Sequence, residues 1–492
     1  MTDEERKELE TIRHLLDRGG AEEAFHRLKS VMENASEELR ARDMWQVHEL
    51  FGACFHDFGD PEGAAQAYFR AAQEDRFLRS QRQHISSYLF ALHYLPGISD
   101  EEMARQNFAY GALYREEYPF SPKGPIRGKI RVGYLSPSFS EQSTARFYET
   151  MLTEYDREQF QVYCYGLSTS EDAFSNGLRE GVDGWREFSE DRLEEVPACI
   201  RQDEIDILFD LGGHSEGGRT LMVMAGHPAP VQISGIGWID TTGLPAMDYF
   251  LTDGDLVPSG YGESSFCEKL LRLSRAFCWK PTEKMRRILR GTRKKGSPPR
   301  LGVFNNFMKV TEDMLHLWRS ILEELPGATL VLQDTCRHPA RQKRMEERVQ
   351  EAGLWGRTEI RLSSPNYLEQ LANVDLLLDT YPYTGGGMTA VALYLGTPVI
   401  TLAGTRHGSR FGKSLLYGAG LPQLVANNSK EYVAKSVELA GDEEWLECLH
   451  LGLRQQLEDS ALMDGKGYMR ELEKAYRGLV HRTENNWTKD AE

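Results

Sequence analysis

Apolar residues recur at helical spacing over the first 120 residues, with glycine or proline at the breaks between segments. The segment VHELFGACFHDFGDPEGAAQAYFRAAQED has the spacing of a tetratricopeptide repeat, with Gly52 and Phe55 in a first helix and Tyr68 in a second. The stretch Gly20–Glu33 resembles the second helix of an earlier copy. We therefore predict an all-α, tetratricopeptide-like domain over residues 1–120. Two uses for it stay open, a cap that stabilises the rest of the chain and a docking surface for a protein.

After the Pro/Gly linker SPKGPIRGKI, short apolar runs that end in polar loops alternate with helix-length segments. The runs KIRVGYLSPSF, FQVYCYGL, DILFDLGGHS and VQISGIGW show this rhythm, which breaks near Lys284–Pro299 and starts again at RLGVFNNF. Such alternation predicts parallel sheets with crossover helices. We predict an α/β fold with two doubly wound, Rossmann-like halves at residues 127–285 and 298–445. C-terminal helices at residues 446–485 are expected to pack back on the first half.

The segment DTYPYTGGGMTAVALYLGTPVITLAG, Asp379–Gly404, places three glycines between a predicted strand and a predicted helix. Amide N–H groups at a helix N-terminus favour an anion. The spacing fits neither the dinucleotide fingerprint nor the P-loop, which needs a lysine after its last glycine. By itself the loop leaves phosphate binding and a tight turn open. Its place at the carboxyl end of a strand favours phosphate, because doubly wound folds bind ligands there.

The composition is that of a globular protein of two or three domains, with 492 residues, 40% of them hydrophobic and 27% charged. The sequence contains no run of about 18 apolar residues, so we predict no membrane span. Its charged first residues, MTDEERKELE, lack the apolar segment of a signal peptide. Seven scattered cysteines without a C-x-x-C pair disfavour zinc and disulfides, and favour a cytoplasmic location. The net charge of −17 disfavours nucleic acid as the main partner.

Several stretches, in order from about Ser86 to the end, together resemble the O-GlcNAc transferase/SPINDLY family of protein glycosyltransferases, especially its short bacterial members. They include IRVGYLSPSF, DILFDLGGHSEGGR, HPAPVQISGIGWIDTTGLPAMDYFLTD, NNFMKVTEDMLHLWRSILEELPGATLVL and LDTYPYTGGGMTAVALYLGTPVITLAG. The resemblance implies a GT-B fold and inverting, metal-independent transfer of a sugar from a nucleotide-sugar donor to a protein side chain, Ser/Thr or Asn. We expect a UDP-linked donor, while the sugar and the nucleobase stay open. The resemblance implies no further cofactor. We expect the helical domain to bind a protein partner or the protein acceptor, and to matter little for the donor.

The resemblance also implies roles for individual residues. Lys309, just past a predicted strand and expected to be exposed, matches the lysine that stabilises the departing diphosphate. His214 lies on a glycine-rich loop after a predicted strand, and its place there makes it a candidate for binding the acceptor, orienting the sugar or taking a proton. A structural histidine is an equal alternative for His214. Positions that align with donor-binding positions of the family are Asn306, Tyr367, Thr384, Gly385, Gly386, Gly387, Met388, Thr389, Thr241, Thr242 and Arg410, with Gly387 and Met388 where the family loop usually has threonine. For Asn306, Thr241, Thr242 and Arg410, a turn, loop or packing role is as well supported.

The chain also departs from the family pattern. Ser138 and Gln142 stand where the family has aspartate and histidine, and glutamine cannot act as a general base. Tyr367 replaces a histidine, and Val391 replaces the acidic residue that meets the ribose. These changes leave three explanations open: a different donor, a slow enzyme, or an inactive partner or adaptor subunit of a protein-glycosylating complex. A non-transferring GT-B enzyme, such as a nucleotide-sugar epimerase, is a further alternative.

One motif points to a metal, the D-x-D triplet at Asp253–Asp255, which resembles the triplet of metal-dependent glycosyltransferases. Those enzymes have a different fold with a single nucleotide-binding domain. Because the triplet lies between a strand and a turn, we expect no metal site there.

Overall fold

The structure is a computed structural model that describes residues 1–114, 128–291 and 294–490, with side chains described up to residue 483. Most of the predicted linker SPKGPIRGKI lies outside these ranges. The chain forms two compact units. The first unit consists of Met1–Ile98, Glu283–Leu416 and Gly420–Gln456, and the second of Ser99–Thr282, Tyr417–Ala419 and Leu457–Glu492. The boundaries of the four domains drawn from the sequence stay a prediction.

The N-terminal part of the first unit is helical, as predicted. Its helices are α1 (Asp3–Asp17), α2 (Ala21–Asn34), α3 (Met44–Phe58), α4 (Pro61–Glu74) and α5 (Leu78–Leu92), with a π-helical turn at Leu39–Asp43. Asp60 caps α4 by accepting from the Gly63 amide at 3.0 Å. A Cβ atom on Gly52 would lie 2.6 Å from Cε1 of Tyr68, so glycine lets α3 approach α4 closely.

The second unit contains a seven-stranded parallel sheet in the order β3-β2-β1-β4-β5-β6-β7. Its elements are α6 (Asp100–Gly111), β1 (Ile130–Ser136), α7 (Ala145–Thr153), β2 (Phe160–Gly166), α8 (Ala173–Gly181), β3 (Gly184–Glu187), α9 (Val196–Gln202), β4 (Ile207–Asp210), α10 (Arg219–Met224), β5 (Val231–Ser234), β6 (Tyr249–Thr252) and β7 (Lys269–Arg272). Every residue of β4 and β5 is buried, as expected for central strands covered on both faces.

The rest of the first unit is built on a six-stranded parallel sheet in the order β10-β9-β8-β11-β12-β13. Its elements are α11 (Glu283–Arg287), β8 (Arg300–Phe304), α12 (Glu312–Glu324), β9 (Thr329–Gln333), α13 (Pro339–Glu351), β10 (Thr358–Arg361), α14 (Tyr367–Leu371), β11 (Leu376–Leu378), α15 (Gly387–Tyr394), β12 (Val399–Leu402), α16 (Phe411–Gly418), β13 (Val425–Ala426), α17 (Ser429–Gly441) and α18 (Glu443–Glu458). In each sheet the chain first adds strands on one side of its first strand, β1 or β8, and then returns to add the rest on the other side. The prediction of two doubly wound, Rossmann-like halves is therefore confirmed.

The last helix, α19 (Gly465–Asp490), belongs to the second unit. Its Tyr476 hydroxyl lies 3.3 Å from the Tyr134 hydroxyl on β1, and Tyr468 donates to the Ala276 carbonyl oxygen at 3.1 Å. Within the described ranges, no helix is both long enough and apolar enough to cross a membrane.

Candidate functional site

Lys309 follows β8 on a single 3-10 turn, Phe307–Lys309. Its Nζ donates to the carbonyl oxygen of Thr384 at 3.1 Å and lies 3.6 Å from the ring centroid of Tyr383. The side chain is half-buried, so the expectation of an exposed lysine was wrong: the Tyr383 ring covers it. Burial lowers the pKa of Lys309 from its ordinary value to about 8, and the nearby Asp379 carboxylate opposes that shift.

The glycine loop lies directly beside this lysine, because Thr384 immediately precedes Gly385. Gly386 is the N-cap of α15, and no side chain caps this helix. Gly387 and Met388 begin its first turn, whose amide N–H groups have no acceptor inside the helix. Gly386, Gly387 and Met388 are half-buried. These amides and the Lys309 ammonium form a positively polarised site that favours an anion.

Thr389, in the same first turn, is buried, and its Oγ1 has no hydrogen-bond partner among the described residues. A Cβ atom on Gly385 would lie only 2.7 Å from this hydroxyl. Buried hydroxyl groups are normally satisfied, so an unpartnered one beside an uncapped helix N-terminus fits a site that binds a polar ligand.

Hydrogen bonds to Asp379, a residue that we did not identify from the sequence, stabilise the glycine loop. Oδ1 of Asp379 accepts from the amides of Gly385 and Thr380 at 2.6 and 2.8 Å, and its Oδ2 accepts from the Thr401 hydroxyl at 2.6 Å. Burial raises the pKa of Asp379, while these hydrogen bonds and Lys309 oppose the rise. The Gly385 amide is therefore used within the loop, and a contact of Gly385 with a ligand stays a prediction.

Thr384 and Arg410 hold the neighbouring loop after β12. The Thr384 hydroxyl donates to the Gly408 carbonyl oxygen at 3.2 Å and accepts from the Gly412 amide at 3.4 Å. Nη1 of Arg410 donates to the Gly404 carbonyl oxygen at 2.8 Å. Both residues are buried, and these contacts shape the loops around the site.

Asn306 precedes the Lys309 turn and caps it. Its Oδ1 accepts from the Met308 amide at 3.0 Å and from Nη1 of Arg341 at 2.9 Å. Asn306 thus has the turn-stabilising role that was one of its two alternatives in the sequence. A contact of Asn306 with a ligand stays a prediction. Tyr367 begins α14 and is half-buried, and Val391 is buried inside α15.

His214 lies in the second unit, in the loop after β4, and is completely buried. Its Nε2 donates to the Thr242 carbonyl oxygen at 2.9 Å, since a carbonyl can only accept. The rings of Tyr110 and Trp238 lie 4.5 and 4.8 Å from the imidazole. Burial lowers the pKa of His214 to about 4, so it is neutral near pH 7. This is the environment of a structural histidine, and its catalytic role stays a prediction.

Thr241 and Thr242 are also fully buried in the second unit, and both hydroxyls donate to the carboxylate of Glu268. The Thr242 amide donates to the same carboxylate at 2.7 Å. Glu268, which we missed, therefore orders this loop. A direct contact of either threonine with a sugar stays a prediction.

Two of the four positions that depart from the family pattern, Ser138 and Gln142, lie in one loop of the second unit. The Ser138 hydroxyl lies within hydrogen-bond distance of Ser140 and Ser170, at 2.9 and 3.1 Å. Gln142 is exposed. Neither side chain supplies a titratable base.

In the D-x-D triplet, the carboxylate of Asp253 is hydrogen-bonded to the surrounding backbone. The Asp253 carboxylate accepts from three backbone amides, those of Asp255, Leu256 and Ala276, at 2.9, 2.8 and 3.0 Å. No group of three or more metal-ligating His, Cys, Asp or Glu side chains occurs in the part of the chain that the structure describes.

Asp379 has a counterpart in the other sheet. Asp210 ends β4, the strand that corresponds to β11, and accepts from the amides of Gly212 and Gly213. Its Oδ2 accepts from the Ser234 hydroxyl on β5 at 2.8 Å, as Asp379 accepts from Thr401 on β12. The signal was visible in the sequence as an aspartate after a strand and before a glycine loop, FDLGG and LDTYPYTGGG.

Comparison with known proteins agrees with this architecture. The model of glycosyl transferase family 41 matches residues 110–295 and 288–472. SPINDLY of Solanum lycopersicum, named a probable UDP-N-acetylglucosamine–peptide N-acetylglucosaminyltransferase, is 31% identical over 410 residues, which cover 80% of this chain and 44% of that protein. SEC of Arabidopsis thaliana, named for the same probable activity, is 26% identical over 365 residues, covering 71% and 37%. The chain thus spans less than half the length of these curated relatives.

Among solved structures, a mutant O-GlcNAc transferase of Thermobaculum terrenum superposes with a TM-score of 0.78 and 27% identity, covering 99% of this chain and 100% of that one. This match confirms the GT-B fold, and with the family match it confirms the resemblance found in the sequence. The chain belongs to glycosyl transferase family 41.

Proposed function

We propose that this protein is an inverting glycosyltransferase that moves a sugar from a UDP-sugar to a protein side chain without a metal ion. The names of its relatives make UDP-N-acetylglucosamine the first donor to test and a peptide the acceptor. Serine, threonine and asparagine are the candidate acceptor residues. The observation that carries the proposal is the contact of Lys309 with Thr384, which brings a cation to the glycine loop.

The chemistry of glycosyl transfer explains why such a site is useful. When the bond between the anomeric carbon and the diphosphate breaks, negative charge grows on the diphosphate oxygens. Donors already aimed at that charge lower the barrier, and removing one typically costs about 10²–10³ in rate. The Lys309 ammonium has three N–H donors and gives one to Thr384, so others remain for phosphate oxygens. The amides of Gly387 and Met388 supply neutral donors beside it.

A second function, a nucleotide-binding partner subunit without transfer, is favoured by a different observation. Gln142 has no titratable proton, and the His214 imidazole is buried and occupied by Thr242. Neither residue is placed to accept a proton from an acceptor. Both functions use the same nucleotide site, and they differ in whether sugar reaches a protein.

Two measurements separate these functions. Isothermal titration with UDP, GDP and ADP should show binding of UDP in preference to the others. Incubation with radiolabelled UDP-N-acetylglucosamine, UDP-glucose and GDP-fucose, each with a library of Ser/Thr- and Asn-containing peptides, should label peptides from one UDP-sugar. UDP binding without label on any peptide would favour the partner subunit, and no nucleotide binding would contradict both.

The metal question has its own test. We expect UDP affinity and transfer to be unchanged by EDTA, because the proposed cation is Lys309 and the Asp253 carboxylate is committed to three amides. Loss of activity with EDTA and recovery with manganese would contradict this and would point to Asp253 and Asp255.

A further inference from the structure

The N-terminal helices reach Lys309 through a pair of tyrosine rings. Tyr94, which follows α5, is buried, and its ring centroid lies 5.5 Å from that of Tyr383 at an angle of 33°. Tyr383 is the ring on which the Lys309 ammonium lies. Tyr94, Tyr383 and Lys309 all belong to the first unit. The N-terminal residues 1–98, here called the helical region, thus supply one of the rings that pack against Tyr383.

A second connection runs through Arg341 on α13. This guanidinium is buried, and its Nη2 donates to the carbonyl oxygen of His56, near the end of α3, at 2.6 Å. Its Nη1 donates to Asn306, whose carbonyl oxygen in turn accepts from the Lys309 amide at 2.9 Å. A Cβ atom on Gly59 would lie 3.0 Å from Cγ of Arg341, so glycine lets the arginine pass. Arg341 therefore joins the α3–α4 turn to the Lys309 turn.

Two ion pairs and one histidine–carboxylate contact surround this connection, and burial lowers the pKa of His338. His338, Lys343 and Arg344 of the α13 segment lie 3.6, 3.3 and 3.1 Å from carboxylates of the helical region. Their partners are Asp57, Glu22 and Asp60, respectively. The helical region is acidic where α13 is basic, and this complementarity favours a single position of α13 against the helical region.

We propose that the helical region positions Lys309 for the diphosphate, with Tyr94 acting through the Tyr383 ring and His56 acting through Arg341. Residues 1–98 are then part of the donor site as well as a surface for proteins. This differs from the expectation drawn from the sequence, that the helical domain matters little for the donor. The inference rests on the proposed function, because it takes Lys309 as the cation that meets the nucleotide.

The test measures UDP affinity by isothermal titration in the full-length protein. Tyr94→Leu keeps an apolar side chain but removes the ring that supports Tyr383, and should weaken UDP binding about 3- to 10-fold, the range of an aromatic pair. Tyr94→Phe keeps the ring and should bind UDP as the wild type does. Phe69→Leu removes a ring from another helical-region pair, Phe69–Tyr88 at 4.9 Å, and should leave UDP affinity unchanged.

A double-mutant cycle shows whether Tyr94 acts through Lys309. In a Lys309→Met background, Tyr94→Leu should cause no further loss of UDP affinity, because the residue being positioned is gone. If Tyr94→Leu does not fold, Tyr94→Met repeats the test with a side chain that fills gaps more easily.

Three outcomes would count against the proposal. UDP affinity within twofold of wild type for the folded Tyr94 variant would overturn it, and so would an equal loss in the Lys309→Met background. A wild-type protein that does not bind UDP would contradict the proposed function itself, and this inference with it.

Discussion

Nζ of Lys309 donates to the carbonyl oxygen of Thr384 over 3.1 Å, although 75 positions separate the two residues in the chain. The lysine follows β8 and the threonine follows β11, and these strands are parallel neighbours in the six-stranded sheet. Parallel neighbours end at the same edge of a sheet. The topology therefore places a cation and a glycine loop side by side, and the proposed donor site depends on that contact.

The lowered pKa of Lys309 predicts how activity depends on pH. The ammonium is charged below about pH 8 and loses its proton above, while the departing diphosphate needs the charged form. We expect kcat/KM for the donor to fall as pH rises through that value, because kcat/KM reports groups of the free enzyme. Initial rates across the range check this. Lys309→Arg, which stays charged, should be slow and lack this alkaline limb.

The same pKa predicts that Lys309 destabilises the ligand-free protein. A lysine whose folded-state pKa is lowered disfavours its own charge in the folded state, and the penalty is complete below about pH 8. It is relieved as pH rises from there towards the ordinary value of 10.5. Lys309→Met should therefore raise Tm at neutral pH, by less at higher pH. Thermal unfolding of wild type and variant, at neutral pH and at a pH above 8, measures this. Lys466→Met, at an exposed position, is the control. A lower Tm for Lys309→Met at neutral pH would contradict it.

Gly386 tests whether a ligand comes close to the backbone. A Cβ atom there would meet only Cδ2 of Phe411, at 3.9 Å, so the fold itself has room for alanine. Gly386→Ala should leave Tm nearly unchanged and weaken UDP binding about tenfold or more, because the added methyl group lies at the N-cap, beside the Gly387 and Met388 amides that we propose bind the phosphate. Gly177→Ala, in α8 with nothing within 4 Å of the added atom, is the matched control. Equal UDP affinity in both variants would show that no ligand approaches Gly386.

The paired aspartates offer a test with an internal control. Thr401→Val removes the hydroxyl donor to Asp379, and Ser234→Ala removes the equivalent donor to Asp210. Each leaves a buried carboxylate with one bond fewer, at a cost of about 1–3 kcal/mol in the free energy of unfolding. Only Thr401→Val should also weaken UDP binding, because Asp379 holds the glycine loop. Denaturant unfolding and UDP titration of both variants decide this. Equal weakening in both would contradict a donor site in the six-stranded unit.

The fold could be predicted from the sequence because its signals are local. Strand and helix periods alternate, and the packing of Gly52 on Tyr68 follows from the spacing of one repeat. Lys309 and the glycine loop were each predicted to follow a strand, and the structure brings them together because β8 and β11 are neighbours in the sheet. The side chains that surround these features could not be predicted, because they come from distant segments. Tyr383 covers Lys309 and Arg341 reaches His56, 285 positions away, so burial at this site depends on contacts that no local pattern contains.

The partner of a loop hydroxyl in the other unit could not be predicted either. Thr241 and Thr242 belong to a polar loop of the kind that often faces a ligand, yet both turn to the Glu268 carboxylate. A threonine hydroxyl serves a ligand or a neighbouring acid equally well, and the choice depends on a residue 26 or 27 positions away.

Single-turnover transfer by Lys309→Ala shows whether Lys309 stabilises the departing diphosphate, as we propose. Wild type and variant are mixed in excess with radiolabelled UDP-N-acetylglucosamine and acceptor peptide, and UDP affinity is measured in parallel. We expect a transfer rate about 10²–10³ lower in Lys309→Ala, with little rescue by Lys309→Arg, whose planar guanidinium does not reproduce a point charge. A rate and a UDP affinity that both stay within about twofold of wild type would show that Lys309 has no part in the reaction.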